Sequence, residues 1–562
     1  MINRNDYELS SDGKTLVKWN NYSTEHLDMN EDQQLKKITK IGREAFSRCY
    51  SLTSIVIPRS VTNIGEGAFA YCMSLISVEI PEGVKEISFY TFQNCTSLSS
   101  IIIPKGVEKI EEGAFQNCSS LSSIVIPESI IHCSPISSIL IPESIVIGFS
   151  SSPIIIIPES IVEIGDRAFE GCSSLSSFII PENITEIRDR TFENCSSLRS
   201  IGIPKNVTKI GESAFAGCSS LSSVYTVRSM TEIWDRIFDI DFSIVSDTMF
   251  ENIIEIGDSA FMGCTSLKSI QIPKKMEEIG NSTFRDCTSL TSIIIPENIK
   301  RIESCSFLGC TSLTNLIISK KVKKIGDYSF SDCTSLTYLL IPKNVKEIGN
   351  GAFNSCNSLV SIKLPKKIRK IGRYVFLGCT SLTSIVFPEG IVEMPYGIIR
   401  GCSSLTSIEF PKTLEKMEKV SFIGKRILSL IIIKSEKKLV LEEDISDVLE
   451  YQKVDRSEYP DNILSNCTIF VPEQSVESYK KDKEWGKYNI QPMDVSVYDE
   501  DDSNSEQDDY EDLEDDEGAS YSHWDNDRDY DNYDYYDNYD WLAEAAGTDD
   551  PEVMNDVYWN LD

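Results

Sequence analysis

The stretch Ile41–Pro58 reads IGREAFSRCYSLTSIVIP, and near-copies of it return every 23 residues through most of the chain. Val61–Pro81, Val84–Pro104, Val107–Pro127, Ile161–Pro181 and Val345–Pro365 keep the same order, and further units run as far as Pro411. A short fixed period sets aside the three or four separate domains that 562 residues would otherwise suggest. A unit of this size cannot bury its apolar side alone. Stacking on identical neighbours completes one continuous core, so the chain must fold as an array.

Within each unit, L-x-S-I-x-I is the strand candidate. Strand alternation turns Ile55 and Ile57 inward and Ser54 and Val56 outward, with Leu52 in the bend before them. The proline that follows ends the strand, because it has no N–H for a ladder and a fixed φ. The glycine of I-G recurs once per unit and reads as a turn requirement. Ala45, Phe46 and Cys49 are spaced like one or two helical turns with a buried face. Of the 17 cysteines, 14 recur in phase with Cys49, while Cys133, Cys305 and Cys467 do not. An odd count argues against a disulfide framework, and the lack of any C-x-x-C pair argues against zinc. The phased cysteines therefore read as a column of small buried hydrophobes.

The order of segments follows from the repeat. Residues 1–37 are expected to cap the first coil, with strands over Tyr7–Leu9 and Thr15–Trp19 joined by a turn at Ser11–Lys14. Residues 38–434 form the array of about 18 coils. Two of these, near 128–158, are truncated: Pro127, Pro142 and Pro158 still end strands, but the I-G-x-x-A-F half is missing, which keeps the sheet and thins the opposite face. The coil Ile233–Glu255 keeps its register but carries Asp241 in the cysteine position. The last coil, near Met417–Ile433, has Lys425 there. Residues 435–496 form the closing cap, with a short helix over Asp444–Tyr451, a strand over Cys467–Pro472 and a helix from Val476 to Tyr488. From Asp499 to Asp562 there are 26 acidic side chains against Arg528 alone, so residues 497–562 are a disordered acidic tail with two short partner-induced helices, Trp541–Ala546 and Pro551–Leu561. The other 498 residues carry 61 acidic and 53 basic side chains, close to balance.

The unit Ile-Gly-x-x-Ala-Phe-x-x-Cys-x-Ser-Leu-x-x-Ile-x-Ile-Pro resembles the repeat of the BspA-like leucine-rich-repeat family, over about residues 38–434. The segment TIFVPEQSVESYKKDKEWGKY is similar to that family's usual end cap. The resemblance implies an α/β-type repeat solenoid, a right-handed leucine-rich-repeat horseshoe. Its parallel sheet would line the inner face, with short helical or irregular segments outside. It also implies roles in adhesion and protein binding at cell surfaces.

No reaction is visible. Three histidines at unrelated positions, His26, His132 and His523, build no catalytic constellation in the array. Asp525, Asp527 and Asp529 imitate the start of a calcium loop, but Tyr530 and Tyr536 stand where glycine and glutamate are needed. No cofactor or metal is expected. The informative surface is the outward side of the strands. One column there is a serine ladder beginning Ser54, Ser77, Ser100. The other is mostly apolar: Val56, Ile102, Val125, Ile179, Tyr225, Ile294, Ile317, Leu340 and Val386 are the candidate protein-binding residues. A basic edge gathers Lys320, Lys321, Lys323, Lys324, Lys366, Lys367, Arg369 and Lys370. The expected partner is a protein; nucleic acid is disfavoured because no aromatics interleave with these cations. The acidic tail is expected to contact this edge or a basic partner. No run is long enough to insert in a membrane. An N-terminus without an apolar signal core suggests a cytoplasmic location, with the cell surface as the alternative. The function expected is a non-enzymatic protein-binding scaffold, or else an adhesin exported by a route not visible in the sequence.

Overall fold

The computed structural model describes residues 2–125, 155–156, 158–227, 250–418, 428–442 and 467–493. The chain divides into two units, Met1–Val495 and Ser496–Asp562, and all described residues belong to the first. The acidic tail, its two expected helices and the Asp444–Tyr451 helix fall outside the described residues.

The first unit is a parallel-sheet solenoid of about 17 turns. Three-residue strands occupy the expected place. Ser54–Val56, Ser77–Glu79, Ser100–Ile102 and Ser123–Val125 pair in parallel, with serine opposite serine. Alternation holds, since Leu52, Ile55 and Ile57 are buried while Val56 is exposed.

Each coil also crosses a second parallel sheet, which the strand pattern did not announce. Two-residue strands such as Lys40–Ile41, Asn63–Ile64, Glu86–Ile87 and Lys109–Ile110 lie just before the I-G glycine or the residue that takes its place. Their isoleucines are buried and the residue before each faces solvent. Opposite charges often meet across adjacent rungs, as in Lys109–Glu163 at 2.7 Å and Lys209–Glu255 at 2.9 Å. Exposed pairs of this kind add only a few tenths of a kcal/mol to about 1 kcal/mol each, but they favour one register.

The I-G-x-x-A-F-x-x-C segment is not helical. Its N–H groups alternate between a turn bond within the coil and a bond to the next coil. Ala45, Ser47 and Cys49 donate to Gly42, Glu44 and Phe46, whereas Glu44, Phe46 and Arg48 donate to Glu66, Ala68 and Ala70 at 2.8–2.9 Å. This zigzag places two residues per coil in the left-handed region: Glu44 and Arg48 (φ 53° and 63°), then Gly67 and Tyr71, then Tyr90 and Asn94. The glycine of I-G is not one of them. A Cβ on Gly65 would lie 2.7 Å from the Arg43 nitrogen, and one on Gly257 would lie 2.6 Å from the Glu212 nitrogen. Close packing of coil on coil, not a turn, favours glycine at these positions, although other coils place Ser88, Glu111, Arg188 and Glu303 there.

Two columns run through the core. Phenylalanines stack face to face at 5.1–6.0 Å from Phe46 through Phe69, Phe92, Phe115, Phe169, Phe192 and onward to Phe376. Trp19 continues this stack at its start, with Tyr7 beyond it. Beside it runs the cysteine column. Each phased thiol from Cys72 to Cys402 donates to the carbonyl of a phenylalanine in the preceding coil, for example Cys72 to Phe46 and Cys195 to Phe169 at 3.1 Å.

The stacking passes directly over two stretches of sequence. Lys109–Ile110 pairs with Glu163–Ile164, and Phe115 stacks on Phe169. No truncated coil intervenes on that face; on the strand face, the predicted coils at 128–158 lie mostly outside the described residues. Likewise Lys209–Ile210 pairs with Glu255–Ile256, and Phe215 stacks on Phe261. The coil predicted at Ile233–Glu255 therefore adds no rung to this ladder. Its Asp241 would sit where Cys264 is fully buried.

Near the N-terminus, Tyr7–Leu9 and Thr15–Trp19 form an antiparallel pair, and Thr15–Trp19 also pairs in parallel with Lys40–Ile41. Near the other end, Thr468–Val471 pairs with Leu430–Ile433. The helix expected from Val476 to Tyr488 is only Val476–Lys480, followed by a single 3-10 turn at Trp485–Lys487. The chain then forms one more strand, Asn489–Pro492, which pairs with Thr468–Val471. Within that turn the Trp485 indole points inward and donates to the Leu439 carbonyl at 2.9 Å.

Candidate functional site

The outward column divides into a wet and a covered part. Val56, Ile294, Ile317, Leu340 and Val386 are exposed, with Ile294 reaching 64%. Ile102 and Tyr225 are half-buried. The Val125 side chain lies outside what is described. Ile179 departs from the expectation, being only 3% exposed, and its neighbour Gly202 is buried too. Alternation still turns Phe178 toward the phenylalanine stack, where it meets Phe169 and Phe192 edge-on. Alternation fixes the direction of Ile179 but not whether solvent reaches that direction.

Among the described residues, a run of exposed apolar side chains lies in the coils around 292–340. Ile294 sits opposite Ile317 on paired strands, and Leu340 lies on the coil after them. Tyr338, 59% exposed, stands beside Leu340 in the place most other coils give to serine and the preceding coil gives to Asn315. The repeat pattern did not single out Tyr338, nor Ile76 and Val360, which are also exposed. The signal for Tyr338 was its departure from L-x-S, whereas Ile76 and Val360 occupy the variable position of that motif. The strands Asn315–Ile317 and Tyr338–Leu340 are not paired with each other, although the second sheet runs unbroken from Glu278–Ile279 to Lys370–Ile371. At this seam the inward Leu316 is only half-buried.

The basic edge is assembled as stacked columns. Lys323 donates its N–H to the Lys300 carbonyl, Lys346 to Lys323, and Arg369 to Lys346, each near 2.8 Å, so four cations occupy four successive rungs. Lys320, Lys343 and Lys366 form a second column, three residues beyond Ile317, Leu340 and Lys363. Lys324 and Lys370 lie on the second sheet with Glu347 between them. Lys300 pairs with Glu277 at 3.1 Å and Lys324 with Glu303 at 2.9 Å. Among the described residues, Lys320, Lys321, Lys323, Lys343, Lys346 and Arg369 have no ion-pair partner. The expected contact of the acidic tail with this edge involves residues outside the described ones.

Catalytic chemistry finds little support. Burial pushes the Cys95 and Cys356 thiols up to about 12, so these groups are not nucleophiles at neutral pH. Burial also raises the carboxyls of Glu111, Asp166, Glu193 and Asp286, but they are scattered over different turns. Among the described residues, no three His, Cys, Asp or Glu side chains converge as a metal site. No helix there is long and apolar enough to cross a membrane.

Comparison with known proteins agrees with this geometry. The family model for the BspA type leucine rich repeat region matches residues 21–137, 148–255, 238–357 and 323–442. A leucine-rich repeat protein from Bacteroides ovatus, solved by crystallography, is 28% identical over 68% of this chain and 93% of its own, with a TM-score of 0.51. A leucine rich cell surface protein from Faecalibacterium prausnitzii is 21% identical over 78% of this chain and 95% of its own, with a TM-score of 0.40. No curated protein matches the chain.

Proposed function

Since this chain belongs to the BspA-type leucine-rich-repeat family, we propose that it is a non-enzymatic scaffold that binds a protein through the outward face of its three-residue strands. The observation that carries this is the run Ile294, Ile317, Tyr338 and Leu340, more than half exposed on a face whose backbone is held by the stack. Apolar groups held out to water in a contiguous run mark surfaces that are covered in use. The dispersed carboxyls and inert thiols support a binding role rather than a catalytic one.

A photo-crosslinking amino acid at Ile317 or Leu340 should yield protein adducts in cells, and one at Glu278 on the second sheet should not. Equal adduct yield from both faces would reject this face as the binding surface. An adhesin displayed at the cell surface would use the same face and differ only in location. Family membership favours that second reading. Protease treatment of intact cells that releases peptides of this chain selects the adhesin, and release only after lysis selects the cytoplasmic scaffold.

A further inference from the structure

Resting on that reading of the face, we infer that the partner is an acidic polypeptide segment carrying apolar side chains. It seats across the coils that hold Ile317, Leu340 and Lys363. Three features meet there. Ile294, Ile317, Tyr338 and Leu340 supply apolar anchors. Three residues beyond the outward column, Lys320, Lys343 and Lys366 line the rim, backed by Lys323, Lys346 and Arg369. Lys363 brings one more cation into the outward column itself. Glu297 and Glu389 occupy the rim position in the flanking coils, so the cationic stretch is limited to these three.

The charges act together. Successive rungs are about 4.8 Å apart, well inside the roughly 10 Å screening length at 0.1 M salt, so their potentials add. Most of these cations lack an ion-pair partner among the described residues, whereas cations elsewhere on the second sheet, such as Lys109 and Lys209, are matched by glutamates. A neutral partner would leave the rim's field unused, and a basic one would be repelled. A bare polyanion would satisfy the rim but not the four apolar side chains beside it. Nucleic acid is the weaker occupant because only Tyr338 offers a ring for stacking among these residues.

The test titrates the full chain with a short fluorescent peptide alternating glutamate with tyrosine and leucine. Two relatives of this peptide are titrated too, one with glutamine for glutamate and one with serine for the apolar residues. The acidic apolar peptide should bind best, and its affinity should fall with added salt. Lys320→Glu with Lys343→Glu should weaken it about tenfold or more and flatten the salt dependence. Ile317→Ser with Leu340→Ser should weaken it comparably and leave the salt dependence in place. Lys205→Glu, at the same edge of a distant coil, should change nothing. Three results overturn the inference. One is absence of binding by the acidic apolar peptide. The second is equal binding of the glutamine peptide together with indifference to the lysine reversals. The third is binding of the serine peptide, phosphatidylserine vesicles or single-stranded RNA that is as tight and is unaffected by Ile317→Ser with Leu340→Ser. The crosslinking yield at Ile317 decides the broader reading separately in every case.

Discussion

A buried thiol in each coil solves a local polar problem. The Phe46 carbonyl already accepts the Cys49 N–H, and Cys72 of the next coil brings an S–H to the same oxygen. Cysteine fits because it is small and apolar yet has a weak donor. The sequence pattern correctly placed these residues in the packing, because their phase matched Phe and Leu. It could not show the carbonyl they meet, which belongs to another coil. Iodoacetamide at pH 8 should leave the phased cysteines unmodified and should label them in guanidinium; labelling of Cys195 in the native protein would contradict the burial. A second consequence concerns alkaline pH. Burial raises the folded thiol values, to about 12 for Cys95 and Cys356. The folded state therefore holds these protons more tightly than the unfolded chain, where thiols titrate near 8.5. The associated stability is complete below that value and is lost as pH rises toward the folded one. The melting temperature should fall progressively between about pH 9 and 11. The glycine of I-G is the residue misread from sequence. Repetition suggested a special φ, whereas Gly65 and Gly257 are pressed against the backbone of the coil before.

At the scale of elements, period alone does not make a rung. Ile233 and Ile256 are one period apart, yet the strand Lys209–Ile210 pairs with Glu255–Ile256. The chain re-enters close to where it left, since the Phe250 N–H donates to the Thr226 hydroxyl at 3.3 Å. Replacing residues 228–249 by a short glycine-serine linker should keep the circular dichroism spectrum and change stability by less than about 1 kcal/mol in denaturant titration. Loss of cooperative folding would show that this segment is a rung after all. The helical expectation for Ala45–Cys49 failed for a related reason. An apolar i, i+1, i+4 spacing suits a helical turn, but the N–H groups of this segment find better acceptors in the next coil, and two left-handed residues per coil follow from that choice. Ser and Thr hydroxyls do similar work between coils. Thr314 donates to the Thr291 carbonyl and Thr406 to the Thr383 carbonyl, 23 residues back.

At the scale of the molecule, a stack of like coils has two ends that repetition cannot satisfy. Trp19 lies against Phe46 at one end of the phenylalanine column, with ring centroids 5.8 Å apart. At the other end, Trp485 donates to the Leu439 carbonyl while the Tyr479 hydroxyl accepts the Leu439 N–H at 2.8 Å. Because each coil touches mainly its neighbours, damage should stay local. Trp485→Ala should cost about 3 kcal/mol and lower hydrogen-exchange protection in the coils after Phe387, leaving the Phe46–Phe215 coils unchanged. A uniform loss of protection along the whole stack would contradict a nearest-neighbour solenoid.

The sequence by itself determined the period, the inward and outward directions along each main strand and the packing role of the cysteines. These are local properties, carried by spacing within one coil. Only the tertiary structure decided the second sheet, the left-handed pairs and the pairing of Lys209–Ile210 directly with Glu255–Ile256. Each depends on what a neighbouring coil presents: a carbonyl to accept, a backbone too close for a side chain, or a buried slot that aspartate cannot fill. The candidate site shows the same division. Lys320, Lys343 and Lys366 are 23 residues apart in sequence, and it is the stacking of coils that places them beside one another along the rim.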